Sequence, residues 1–296
     1  MSATLATPPR AGPGGAGAAA SHVDGLLALR LRRDPAGRTV IAARRQRFPL
    51  RTTVAFHLDE RDPGMAFVYV QNPTGGVFES DRLTVDVVAE AGTRLHLTGQ
   101  SATKLCRSEH GAFGTQELRL DVGEGAYVEH VPDALIPHAG ARYRQRTAVE
   151  LAPGGLFVGA ETIAPGRAWE RFAYHELDLR TVVRTGGREL CVDALRLAPG
   201  ALRDPGCAGV LGAHRWLVTL LAVAPDHDGE ALAAHIDTGL AAHGDVLAAA
   251  GPLPDGCGTV VRILAHRAPA ARRALLHAWS DVRAALVGLP LPPLRK

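Results

Sequence analysis

Three segments of this 296-residue chain repeat one arrangement: a strand-like run that ends in an acidic residue, a turn carrying glycine, and a second strand-like run. They are Val88-Ala89-Glu90-Ala91-Gly92-Thr93-Arg94-Leu95, Leu120-Asp121-Val122-Gly123-Glu124-Gly125-Ala126-Tyr127 and Val149-Glu150-Leu151-Ala152-Pro153-Gly154-Gly155-Leu156. The turn glycines at 92, 125 and 154 recur at about thirty residues, an interval at which neighbouring strand pairs complete each other's core. Two architectures satisfy that spacing, the stacked layers of a β-solenoid and a two-sheet sandwich, and the spacing does not choose between them.

The remaining patterning is also β-type as far as residue 225. Gly25–Leu31 and Thr39–Ala42 read as strands around the turn Asp34-Pro35-Ala36-Gly37. Leu83, Val85 and Val87 alternate, and Asn72-Pro73-Thr74-Gly75-Gly76 is a turn in which proline fixes φ and glycine permits conformations closed to other residues. Strands continue through Phe172–Leu179, Thr181–Val183 and Leu190–Leu197, the last two joined by the hairpin signal Thr185-Gly186-Gly187-Arg188. The basic run Arg44-Arg45-Gln46-Arg47-Phe48-Pro49-Leu50-Arg51 reads as a solvated loop or as a contact for an acidic partner.

From residue 226 the pattern changes. Asp228–Ala250 is rich in Ala and Leu, with Leu232, Ile236, Leu240 and Leu247 near helical spacing, and Gly251-Pro252 is expected to end that helix. A strand over Val260–Leu264 and a second helix over Ala268–Val287, striped by Leu275, Leu276, Trp279, Val282 and Leu286, complete the chain. The expectation is a mainly β fold: a large two-layer or solenoid-like framework over 25–225 and a small helix-strand-helix part over 226–296, together one unit behind a disordered leader at 1–24.

With 46% hydrophobic residues the chain can bury a substantial core. A net charge of +3 and 5% aromatic residues give neither the field nor the stacking ladder of a nucleic-acid binder. The longest apolar run, Trp216–Ala224, is about half of what spans a bilayer. Four scattered cysteines without C-x-x-C fit free thiols in a reducing cytoplasm. Gly12, Gly14 and Gly17 form a literal G-x-G-x-x-G, yet no strand precedes them and no helix follows, so the dinucleotide fingerprint is dismissed.

Catalytic motifs are weak. Gly99-Gln100-Ser101-Ala102-Thr103 misses the nucleophile elbow by its last glycine and is not followed by a helical stripe. His227, His235 and His243, eight residues apart on the expected helix, would stand about 12 Å from one neighbour to the next, too far to share one ion. What remains are polar and acidic residues spread over the β region: Asp81, Glu129, Glu161 and Glu170, with Thr98, Gln100 and Gln145. An acid on an inward strand face needs a partner, water or an ion.

Several blocks, in order, resemble one family. They are Asn72-Pro73-Thr74-Gly75-Gly76-Val77-Phe78 leading to Asp81-Arg82-Leu83, the run from Thr98 through Gln100 and Ala102-Thr103-Lys104 to Arg107-Ser108, Glu129-His130-Val131-Pro132 with Ile136-Pro137, Ala160-Glu161-Thr162, Pro165-Gly166-Arg167, Glu170-Arg171-Phe172, and a tail with Val261-Arg262-Ile263-Leu264-Ala265, Trp279 and Arg283. Together they are similar to UreD, also called UreH, the urease accessory family. The resemblance implies a cytoplasmic, non-enzymatic scaffold. It would join UreF, which recruits the GTPase UreG, to apo-urease, and assist nickel insertion during metallocentre assembly, with Ni²⁺ in transit and no tightly bound cofactor. Asp81, Glu129 and Glu161 are the candidate transient contacts on a nickel path, with neither a membrane nor a nucleic acid as partner.

Such a path has to bind loosely. At an association rate on the order of 10⁷ per molar per second, a picomolar site would release its ion about once a day and a micromolar one about ten times a second. The chain departs from the family pattern at Glu79-Ser80, where glycines are usual, at Leu105-Cys106, where an aromatic is usual, and at His130, where tryptophan is usual. The rival readings are a stand-alone β-solenoid or sandwich hydrolase, which requires paired carboxylates in one cleft, and a generic interaction module with no metal role.

Overall fold

A computed structural model describes residues 22–292. Its first strands are β1 (Asp24–Arg33), β2 (Thr39–Arg47), β3 (Arg51–Thr52), β4 (Ala66–Gln71), β5 (Arg82–Ala89) and β6 (Arg94–Gly99). They are followed by β7 (Thr103–Leu105), β8 (Gly114–Val122), β9 (Tyr127–His130), β10 (Leu135–Pro137), β11 (Arg142–Leu151) and β12 (Leu156–Ile163). Then come β13 (Glu176–Thr185), β14 (Arg188–Leu197), β15 (Trp216–Val223), α1 (Gly229–Leu240), β16 (Val246–Pro252), β17 (Gly258–Ala265) and α2 (Ala268–Val287). Of the leader assigned to 1–24, residues 1–21 lie outside the described residues, and Asp24 already begins β1.

The chain winds as a coil between two sheets. A seven-stranded sheet runs β14-β13-β11-β8-β5-β1-β2, and a ten-stranded one runs β16-β17-β15-β12-β9-β6-β4-β3, with β7 and β10 beside it. Successive coil strands stack in parallel: Arg94 lies beside Tyr127 and Tyr127 beside Leu156 in one sheet, while Arg82 lies beside Thr115 and Thr115 beside Arg144 in the other. The repeat of about thirty residues is therefore one coil of a solenoid-like framework, which resolves the choice left open by the spacing. Gly92, Gly125 and Gly154 turn each coil back at φ of 65, 60 and 67°, a region where a Cβ is penalised. Those turns also stack, the Gly92 N–H donating to the Glu124 carbonyl at 2.8 Å and the Gly125 N–H to that of Pro153 at 3.2 Å.

Burial follows strand parity. Leu27, Val85, Leu120, Val149 and Leu179 from one sheet meet Leu95, Val128, Phe157 and Leu221 from the other in a first core. A second core forms where the opposite face of the ten-stranded sheet, through Phe67, Val158, Val218 and Ile263, packs on Leu232 and Ile236 of α1 and Ala278, Trp279 and Val282 of α2. The apolar run at 216–224 is β15, buried on both faces because it belongs to both cores. The outer face of the seven-stranded sheet is charged, with Arg144 and Arg146 on Asp178 at 3.0 and 2.6 Å and Arg142 and Arg196 on Glu176 at 3.4 and 2.8 Å. Among the described residues no helix is long and apolar enough to cross a membrane.

Three local expectations change. Of the basic run at 44–51, Arg44–Arg47 lies in edge strand β2 and Arg51 in β3, leaving only 48–50 as a turn, and the strand expected from Phe172 starts only at Glu176. The helix expected over 228–250 stops at Leu240, and Val246–Pro252 instead pairs antiparallel with β17, which makes the C-terminal part helix-strand-strand-helix. Leu247 matched the helical period but projects from an edge strand into solvent; pairing with β17 overrides the helix propensity of the Ala-rich run. The start of α1 is as read, Asp228 capping it by accepting from the N–H groups of Glu230 and Ala231.

Candidate functional site: a polar strip between the sheets

The inward face of each strand is apolar for most of its length, but one band is polar, and strand register explains why its members meet. Across the seven-stranded sheet Gln116 lies beside Gln145, and one rung along Thr147, Thr181 and Asp193 stand side by side. Across the facing sheet Glu161, Thr219 and Arg262 form a similar row. Cross-strand neighbours on one face stand within side-chain reach, so polar residues at matching positions in successive strands form a strip perpendicular to the strands.

Hydrogen bonds link the strip. The Tyr143 hydroxyl lies 3.2 Å from Gln116 Oε1 and 3.0 Å from Gln145 Oε1, and its single proton serves one of them at a time. Gln145 Nε2 donates to Glu161 Oε1 at 2.6 Å. Beyond Glu161 the Arg262 guanidinium donates to the Thr219 hydroxyl and pairs with Asp193, tying the two sheets together. His130, Thr147, Thr181, Asp193 and Thr219 join Glu161 around a chamber of about 20 Å³, room for one water. A space of that size does not admit a polymer, so Glu161 and Asp193 do not form the kind of cleft that the hydrolase reading requires.

Burial pushes the Glu161 carboxyl up, and the Asp193 charge beside it pushes further. Arg262 and the Gln145 bond pull back, and it settles at about 7. A carboxyl poised there takes a divalent cation only by releasing a proton near neutral pH, which weakens the hold. Burial likewise raises the Tyr143 phenol, so it stays a neutral donor. At the other end the strip reaches a cavity of about 280 Å³ whose walls include Asn72, Gln100, Ser101, Lys104 and Gln116.

The three acidic candidates lie in different surroundings. Glu161 faces the space between the sheets. Asp81 is buried at the turn before β5, where Oδ1 accepts from the Val23 N–H and Oδ2 from that of Phe78, both at 3.0 Å, so its carboxylate fastens the start of β1 to the turn. Glu129 points the other way, into the core between the ten-stranded sheet and α2. It is 0% exposed and meets Arg283 Nη1 at 2.6 Å, His96 Nδ1 at 3.0 Å, Trp279 Nε1 at 3.2 Å and the Tyr127 hydroxyl. Burial alone raises its carboxyl, but the bond to His96, the His96 and Arg283 charges and the Tyr127 hydroxyl outweigh that and hold it below the ordinary value.

Of the other polar candidates, Thr98 donates to the Val131 carbonyl at 2.8 Å, and Glu170 pairs with Arg167 in a loop. Glu79 and Ser80, the departures from the usual glycines, keep the turn. Ser80 adopts φ of 65° despite its Cβ, and the Glu79 carboxylate accepts from the main-chain N–H groups of Glu109, His110 and Ala112, organising the loop before β8. Only His235 of the three evenly spaced histidines lies within α1. His243 leaves the helix and meets His277 at 3.3 Å, and His277 and His235 flank Asp281 at 3.3 and 3.8 Å. These contacts run side by side, and among the described residues no group of three or more His, Cys, Asp or Glu converges as a metal cage.

Sequence reasoning found Glu161 and Gln145 but missed Gln116, Tyr143, Thr147, Thr181, Asp193, Thr219 and Arg262. Parity carried a signal for some of them: Thr181 shares its inward face with Leu177, Leu179 and Val183, and Thr147 with Val149 and Leu151.

A family model described as UreD urease accessory protein matches residues 23–296. Curated relatives agree along most of their length. Urease accessory protein UreD of Mycolicibacterium gilvum is 37% identical over 89% of this chain and 95% of its own. UreD 2 of Streptomyces griseus is 39% identical over 88% and 89%, and UreD of Haloarcula marismortui 33% over 92% and 90%.

Proposed function

Because the chain belongs to the UreD family of urease accessory proteins, we propose that it serves urease maturation as a scaffold that joins UreF, and through it UreG, to apo-urease, and that Ni²⁺ passes along the strip between its sheets. The observation that carries this reading is the polar strip itself: a row of amide, hydroxyl and carboxyl groups from Gln116 through Gln145 and Glu161 to Asp193, set in a core that is otherwise apolar. Stability alone gives no reason for it, since apolar side chains of similar volume fill such a core at least as well.

Nickel is cargo here. Carboxylate and amide oxygens are weak partners for Ni²⁺ compared with imidazole or thiolate cages, and the Glu161 carboxyl at about 7 yields its metal to a proton. Release within a fraction of a second is compatible with such contacts. In this reading Glu161 is the principal transient contact and Asp81 shapes the turn beside the wider cavity. Glu129, its oxygens taken by four donors, holds α2 against the sheet.

The test is coexpression with the urease subunits and accessory proteins in the cytoplasm of a host lacking its own urease. Glu161→Gln keeps the side-chain shape and the Gln145 contact but removes the charge. The expected result is several-fold less nickel per purified urease and proportionally lower activity, with the scaffold complex recovered in normal yield. Normal nickel content in that variant would take Glu161 off the path.

A further inference from the structure

At the end of the coil where β12 finishes and β15 begins, a groove of about 860 Å³ runs between Lys104, Ile136, His138, the loop 164–170, Arg215-Trp216 and the start of α2 at His266–Pro269. Its charge is one-sided. Arg167 and Glu170 neutralise each other at 2.6 Å, whereas Lys104, Arg215 and Arg267 are exposed and make no ion pair among the described residues. The first turn of α2 adds to the same sign: Arg267 supplies no side-chain cap bond, Pro269 follows, and no acid stands in the turn.

Beside this basic floor sits the most exposed large apolar side chain among the described residues, Trp169, at 96%. It does not hang on a slack loop. The Arg167 main-chain N–H donates to Glu170 Oε2 at 3.1 Å, the Glu170 N–H returns to the Arg167 carbonyl at 2.9 Å, and the Phe172 N–H closes the loop on the Pro165 carbonyl at 2.8 Å. The main chain that carries the tryptophan is thus closed by its own hydrogen bonds, so a partner that buries the ring has mainly its side-chain freedom to remove. Tryptophan and arginine are also the residues that most often dominate a protein interface.

Resting on the scaffold reading above, we infer that this groove docks an acidic segment of a partner protein in the maturation complex, whose carboxylates meet Lys104, Arg215, Arg267 and the first turn of α2, while an apolar side chain covers Trp169. Charge complementarity selects the occupant. A second copy of this chain, with a net charge of +3, is a poor electrostatic match for a basic groove. A nucleic acid would need a longer track of cations than these three supply.

The experiment uses the full chain coexpressed with the urease subunits and the other accessory proteins. Benzoylphenylalanine placed at Ala168, on the groove wall, is photo-activated in cells and the crosslinked peptides are identified by mass spectrometry. The expected product is one partner segment with several Asp or Glu residues within about ten positions. A labelled peptide of that sequence should then bind the purified chain about 30-fold more weakly after Trp169→Ala, the loss expected of an interface hot spot. The exposed double charge reversal Arg215→Glu with Arg267→Glu should weaken it similarly, in a fold verified by circular dichroism and melting, and the parent affinity should fall with added salt. Crosslinks to a neutral or basic segment, to RNA or to a second copy of this chain overturn the inference. So does a complex that assembles normally with both variants. If the parent chain itself recruits neither accessory proteins nor urease, the scaffold reading fails first and this inference with it.

Discussion

Replacing Arg283 with methionine tests what holds α2 against the ten-stranded sheet. The guanidinium is 0% exposed and sits between two acids, Glu129 at 2.6 Å and Asp59 at 3.4 Å, with Nε donating to the Pro290 carbonyl at 2.7 Å. Methionine fills most of the volume without a charge, so Arg283→Met leaves the Glu129 carboxylate buried with only His96, Tyr127 and Trp279 as donors. Breaking one partner out of a buried ion pair costs about 3–5 kcal/mol, a large part of a stability that for whole domains is about 5–15 kcal/mol. Glu129→Gln with Arg283→Met removes the nearer and more deeply buried of the two stranded carboxylates and should recover at least about 2 kcal/mol of that loss, the remainder belonging to Asp59. Urea unfolding followed by tryptophan fluorescence reads this directly, since Trp279 is buried and stacked on the His96 ring with centroids 5.4 Å apart. The sign with pH is fixed. The Glu129 carboxyl lies below its ordinary 4.5, so its stabilisation is present above about that pH and disappears as acid protonates it, narrowing the gap between parent and Glu129→Gln. A loss under about 1 kcal/mol for Arg283→Met, or a double variant no more stable than the single, would refute the assignment of Glu129 to holding α2.

Glu161 carries the opposite sign. Its carboxyl is raised from 4.5 to about 7, so its contribution favours the fold below pH 4.5 and is lost as pH rises through 7. Glu161→Gln should therefore be more stable than the parent at pH 8, by on the order of 2 kcal/mol, and equal or less stable at pH 4; parallel melting curves at the two pH values would count against the buried, charge-crowded environment. Ser80 holds φ of 65° where the family pattern has glycine, so Ser80→Gly should raise stability by about 0.5–1 kcal/mol in urea unfolding without altering urease activation. An unchanged or lower midpoint would mean that the serine side chain repays its strain.

Elements whose cause is local were legible in the sequence. The turn glycines fixed the coil period because their φ is a property of three or four residues, and α2 was readable from its stripe. Gly288 ends it at φ of 67°. The helix expected over 228–250 failed at its second half because Val246–Pro252 takes its structure from β17, a partner that periodicity within the segment does not contain. The site divides in the same way. Glu161 stood out as an acid among apolar neighbours, but its opposition to Asp193 depends on β14 folding back along β13, and Arg262 reaches them from β17. Glu129 stood out for the same local reason and proved to face the helices, since the side on which a strand residue lies depends on which sheet face α2 covers. His243 and His277 meet only because α1 ends before the first of them.

A coil favours a polar row along its axis for a geometric reason. Successive coil strands lie parallel and nearly in register, so a polar substitution at one inward position acquires a neighbour whenever the adjacent coil carries one at the matching place. Gln116 beside Gln145, and Thr147 beside Thr181, are two such steps, and the row they begin points along the coil axis toward its ends. A sheet residue of this kind weakens its own core, since each buried amide or carboxyl must find a partner or lose about 1–3 kcal/mol. The chain meets that demand in two ways. Within the strip the polar groups satisfy one another from Tyr143 to Arg262, and outside it the second core under α2, locked by Arg283 and Glu129, contributes cohesion that the strip does not disturb. On the proposed nickel path, substitutions in the strip should accordingly change metal transfer before they change folding, and substitutions at Arg283 should do the reverse.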